Sequence, residues 1–167
     1  MTRLSSSADN RPSVIDHVHI DIHMRVNHVV PAPLPLRASE PHHPDGVWFL
    51  DYENGPNWIV VQYSPKHGWG VSYNPTEFGN EPDLVLDRKD VAERVAALLQ
   101  ATHKHYKGGT YRVLHDDVPH TETDEILTIY QHVWPHPLAV KARPKDNFHG
   151  TLEDGTRRFE PLIKQTT

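Results

Sequence analysis

Between Val47 and Tyr106 the apolar positions recur first at every second residue, then at every third and fourth. VWFLDYE, WIVVQYS and WGVSY read as strands, DLVL adds a short fourth run, and DRKDVAERVAALLQATHKHY follows. Asn54-Gly55-Pro56-Asn57 and Ser64-Pro65-Lys66-His67-Gly68 separate the first three runs with residues that suit tight turns, so Val47 to Tyr73 predicts an antiparallel meander. Val91, Val95, Leu98, Leu99, Thr102 and Tyr106 then form one stripe. That spacing predicts a helix from Asp87 to Tyr106, with Asp87 capping it, Asp90 in its first turn and Gly108-Gly109 ending it. Upstream, Val14 to Val30 alternates: Val18, Ile20, Ile22, Met24 and Val26 against His17, His19, Asp21, His23, Arg25 and Asn27. This predicts a long strand that spans the sheet or pairs with a second copy in a homodimer.

Downstream, Thr110 to Leu114 and Glu125 to Trp134 read as strands joined by an acidic, His-bearing loop. Residues 147–163 read as a terminal β-hairpin around Glu153-Asp154-Gly155. Residues 31–46 are a proline-rich connector expected to run extended, and residues 1–13 are polar and expected to be mobile. The expected fold is α+β: a mostly antiparallel sheet with one principal amphipathic helix packed on one face, residues 14–167 forming one domain.

A small aromatic-rich sheet, the acidic Gly-containing loop EFGNEPDLVL and one amphipathic helix define a local texture. Trp58 opens the central strand, Gly68-Trp69-Gly70 opens the next, and Gly79-Asn80-Glu81-Pro82 precedes the helix. Over residues 47–107 this resembles the immunity proteins that neutralise deaminase-type and other polymorphic bacterial toxins. The resemblance implies a non-catalytic, cytoplasmic bacterial protein that inhibits a toxin or enzyme by binding it.

Composition narrows the chemistry. The chain has 167 residues, with 17 basic and 22 acidic side chains, 15 prolines, 14 histidines and no cysteine. Cysteine nucleophiles, disulfides and Cys-containing zinc sites are therefore excluded. The basic residues are dispersed, so no nucleic-acid footprint is expected. MTRLSSSADNRPS has no apolar core and no run suits a membrane span, so neither a signal peptide nor a membrane partner is expected.

Two constellations remain. HVHIDIH places His17, His19 and His23 on one face of the expected strand, where they could hold a divalent metal such as Zn; the alternatives are a cupin-like metalloenzyme and a solvated polar face. On the expected helix, His103 and His105 would lie on different faces and form no pair. No nucleophile elbow or phosphate-cradling loop occurs, so no catalytic residue is assigned. The aromatic residues of the meander are ringed by carboxylates, which suits another protein with a basic surface. Trp69, Tyr73 and Phe78 are the expected anchors of that partner surface, with Glu77, Glu81 and Asp83 steering the approach.

Overall fold

A computed structural model describes residues 14–30, 32–39, 46–77 and 81–163; Phe78 lies outside the described residues, as does the side chain of His17. The fold is α+β, with two antiparallel five-stranded sheets set on either side of a central helix. The N-terminal sheet runs β1 (Arg37–Ser39), β2 (Trp48–Asn54), β3 (Asn57–Ser64), β4 (Gly68–Tyr73), β5 (Leu84–Leu86), in that order. Gly55 at φ +58° and Gly68 at φ +73° turn the two hairpins of the expected meander. The proline-rich connector contributes its own edge strand, with Arg37 opposite Asp51.

Helix α2 (Arg88–Leu99) starts after Asp87 as expected, although the Asp87 side chain makes no capping hydrogen bond. Eight of its twelve residues are buried. Val91, Val95, Leu98 and Leu99 pack with Leu50, Tyr52, Ile59, Val61 and Val71 in one core that also takes in Val133 of the second sheet. Arg94, buried, donates to the carbonyls of Val133 (2.8 Å) and His136 (2.9 Å) and so ties the helix to that second sheet. Asn54 and Asn57 donate to the carbonyls of Leu99 (2.8 Å) and Ala101 (3.1 Å), which the helix end leaves without intrahelical partners.

Three expectations are corrected. Val14–Val29 is a helix, α1, not a strand. An apolar set at every second position also contains i, i+4 rows, so its period does not separate helix from strand. The chain uses the Ile22–Val26 row, exposed by 1% and 0%, and leaves Ile20 and Met24 in solvent. Bonds from Arg25 to Asp21 and between Asn27 and His23, both 3.0 Å and both i, i+4, belong to that helix. Among the described residues there are thus two long helices, and Val14–Val29 is not the strand expected to span the sheet or pair with a second copy.

Helix α2 also stops seven residues short of Tyr106, and His103–His105 is strand β6. Leaving the helix lets this segment bond on both sides, to β7 (Thr110–Pro119) and to β10 (Phe159–Pro161). Gly108, at φ +104°, turns the β6–β7 hairpin and does not end a helix. The C-terminal sheet has the order β10-β6-β7-β8-β9, with β8 at Ile126–Trp134 and β9, absent from the expectations, at Ala139–Pro144. Strand β7 extends through the first half of the expected acidic loop, with register shifts on the way and Asp117 at φ +59°.

The expected terminal hairpin is different as well. Its first arm is a short helix, α3 (Lys145–His149), and β10 pairs with β6. The Gly155 turn does form, closed by a Thr151–Arg157 bridge. No helix among the described residues is long and apolar enough to cross a membrane.

Candidate functional site

Strand alternation gives the N-terminal sheet two unlike faces. Leu50, Tyr52, Ile59, Val61, Trp69 and Val71 point to the helices. Asp51, Glu53, Trp58, Gln62, Ser72 and Val85 point the other way, and among the described residues no helix or second sheet covers them. Trp58, half-buried, donates its indole N–H to Asp51, and Arg37 bonds Glu53 at 3.0 Å. The loop after β4 folds back over this face: a Cβ on Gly70 would lie 2.4 Å from Pro82. Only glycine therefore lets the loop sit so close.

That loop closes a small cleft of about 80 Å³, lined by Val60, Gln62, Ser72, Pro75, Thr76, Glu77, Glu81 and Asp83. Three of these residues are carboxylates and none is basic. Asp83 is fixed in place, accepting from the Tyr73 amide (3.2 Å), while its own amide donates to the Ser72 hydroxyl (3.3 Å). Glu77, Glu81 and Asp83 thus line one cleft.

Trp69 and Tyr73, two of the expected anchors, are not on this face. Trp69 is 7% exposed and packs against Tyr63, with ring centroids 4.7 Å apart, on the helix side. Tyr73 points the same way, because β4 places it two residues on from Val71. It is half-buried, and its hydroxyl donates to Asn57 at 2.6 Å; burial raises its pKa, partly offset by hydrogen bonding. Phe78 lies outside the described residues. Phe49 and Trp58 are the aromatics of the outer face among the described strand residues, and strand parity could have identified them from the sequence.

The histidine constellation is rearranged. Helix α1 sets His19 and His23 at i, i+4 on its inner face, where His19 packs on Trp48 (4.8 Å) and His23 stacks on Tyr52 (6.0 Å). Burial lowers the pKa of His23. The strand face of three imidazoles does not exist, and among the described residues no group of three His, Cys, Asp or Glu side chains could hold a metal ion. His103 and His105, expected on different helix faces, share one face of the C-terminal sheet, since β6 places residues two apart on the same side.

The best-connected polar cluster lies at the end of that sheet. Asp116 accepts from the Thr128 hydroxyl (2.6 Å) and pairs with His149 (3.1 Å) and Lys145 (3.6 Å); Lys145 also reaches Asp117 at 2.5 Å. Burial pulls the Asp116 carboxyl up, but the Thr128 hydroxyl, the His149 ring and Lys145 together hold it below the usual value. Thr128 is wholly buried and donates to Asp116, so the cluster clamps α3 to β7. His103, 6.1 Å from His149 between ring centroids, is pushed down to about 4, chiefly by burial.

The chain is thus a two-sheet α+β protein with an acidic cleft on one sheet and a polar clamp on the other. Residues 101–161, which span the whole C-terminal sheet and α3, match a family model described as "Protein of unknown function (DUF1653)". No curated protein and no solved structure matches the chain.

Proposed function

We propose that the chain is a non-catalytic, protein-binding inhibitor or accessory factor, most nearly of the toxin-neutralising immunity kind. The acidic cleft on the outer face of the N-terminal sheet receives a lysine or arginine of a basic partner. The observation that carries this reading is the cleft's lining: Glu77, Glu81 and Asp83, with no basic residue among them. Its size suits one cationic head group. Pro75 and Pro82 hold the loop, and the bonds to Asp83 fix its base, so little conformational freedom is lost on binding. Trp58 on the same face supplies an aromatic contact of the sort that dominates protein interfaces.

The test starts with a partner captured from the native host and identified, then purified. Its affinity for the wild type is compared with that for the E77Q/E81Q/D83N variant at two salt concentrations. Association should slow and its salt dependence should flatten in the variant. Trp58→Phe, which keeps bulk but loses the bond to Asp51, should weaken binding by a smaller factor. Unchanged affinity and salt dependence in both variants would place the interface elsewhere and overturn the reading.

A further inference from the structure

The C-terminal sheet carries a second surface of opposite character. Strand register sets His103, His105, Tyr111, Tyr130, His132 and Phe159 on one face. Phe148 of α3 packs on this same face and is buried with Tyr130 and Phe159, stacking on Phe159 at 4.2 Å. Tyr111 rests on this layer, its ring 4.7 Å from His132, 5.1 Å from Phe159 and 5.7 Å from Tyr130, and remains half-exposed. His105 lies 4.7 Å from Phe159 and 4.4 Å from Tyr106, which is 44% exposed. The outer rings are therefore held edge-on or tilted against a buried aromatic layer, and packing a planar group against them costs little ordering.

The charges around these rings are positive. Lys107 sits 5.5 Å over the Tyr106 ring, and Arg143 sits 5.8 Å over Phe159. Lys141, directly opposite Tyr130 across the β8–β9 pairing, shares the face, and the Arg158 carbonyl accepts from the Tyr106 amide. The charged groups that reach His105 are Arg143, Arg158 and Lys107; those that reach His132 are His136 and Lys141. Lys107, Lys141 and Arg158 make no ion pair among the described residues, whereas the carboxylate at the far end, Asp116, is spent on Lys145, His149 and Thr128.

We propose that this face binds single-stranded nucleic acid, with bases stacked on Tyr106, His105 and Tyr111 and phosphates held by Lys107, Lys141 and Arg158. Exposed rings on a sheet suit unstacked bases, which a duplex does not offer, and cations at the rim follow the backbone. An acidic peptide would use the cations and leave the rings idle. This goes beyond the protein-binding reading and does not depend on it, since the two surfaces belong to different sheets.

The probe is a dye-labelled oligouridylate of about 12 nucleotides, titrated with the full chain at low salt and followed by fluorescence anisotropy. Saturable binding is expected. Lys107→Gln, Lys141→Gln and Arg158→Gln together should weaken it at least ~10-fold and lower the logarithmic salt dependence by about 2, the loss of three phosphate contacts on a single strand. Tyr106→Ala should weaken it by about 10-fold with the salt dependence unchanged, as expected for lost stacking. Lys66→Gln, at the exposed β3–β4 turn and outside both surfaces, should bind as the wild type does. Three results would overturn the proposal: no saturable binding, equal competition by oligoglutamate or by duplex, or an unaltered affinity of the Tyr106→Ala variant.

Discussion

The two sheets have five strands each and share one helix, yet they differ in what they leave exposed. The N-terminal sheet gives its apolar face to α1 and α2, and its outer face carries carboxylates around a small cleft. The C-terminal sheet leans on α2 through Arg94 and Val133, and its far face carries rings and cations over a separate aromatic layer. A common core thus supports two surfaces of opposite charge. Net charge, at –5, describes neither of them. Surface function follows how strands gather residues, and the overall balance of acid and base is a poor guide to it.

If the helix is the shared support, damage to it should reach both sheets. Leu98→Ala removes a fully buried side chain from the common core and should cost about 3 kcal/mol. Chemical denaturation should show one transition, followed alike by tryptophan fluorescence, which reports mainly the N-terminal sheet, and by far-ultraviolet circular dichroism. Separated transitions would show that the sheets are supported independently. Arg94→Ala is more selective. It leaves the carbonyls of Val133 and His136 without their donor and should cost about 2 kcal/mol. Hydrogen exchange should accelerate in β8 more than in β3.

Mild acid should separate the sheets as well. The His103 ring titrates near 6.5 in the unfolded chain and at about 4 in the folded one, so the unfolded chain takes up the proton first. Stability present above pH 6.5 is then lost as the pH falls towards 4. The loss is about 1–2 kcal/mol, allowing for the ring's partial exposure. His105 and His132 are lowered in the same direction, again chiefly by burial. A His103→Gln variant should show a flatter melting temperature between pH 6.5 and 4. An unchanged profile would remove His103 as the cause.

The smallest effect should be a gain in the N-terminal sheet. The Tyr52 hydroxyl is buried with no hydrogen-bond partner among the described residues, and burial raises its pKa. Tyr52→Phe deletes that unsatisfied group, keeps the ring on His23, and should raise stability by up to about 1 kcal/mol. A loss of stability in a urea melt would show that the hydroxyl has a partner in solution.

The meander and the start of α2 were legible because their signals are local: turn residues at Gly55 and Gly68, and an apolar stripe of helical period. The acidic cleft was legible for the same reason, since Glu77, Glu81 and Asp83 lie on one short loop. Helix α1 was not, because the alternation argues a strand, whereas the helix buries only the Ile22–Val26 row and leaves Ile20 and Met24 in solvent. Strand β6, His-Lys-His, lies between Thr102 and Tyr106, which keep the helical spacing of α2, and only its pairing with β7 and with β10 makes it a strand. Strand β9 carries a weak pattern, Ala-Val-Lys-Ala-Arg-Pro, and owes its place to β8. The cationic face was hidden for a related reason. Lys107, Lys141, Arg143 and Arg158 are scattered along the chain and meet only when the sheet forms.

The most direct test of two opposed surfaces is a pair of amide-shift titrations on one isotope-labelled sample of the full chain. Oligouridylate should shift the amides of residues 103–111, 132 and 141–143, and oligolysine those of residues 77 and 81–83, with little overlap. Shifts from both ligands on one surface, or oligouridylate shifts confined to the acidic cleft, would contradict the assignment of opposite roles to the two sheets.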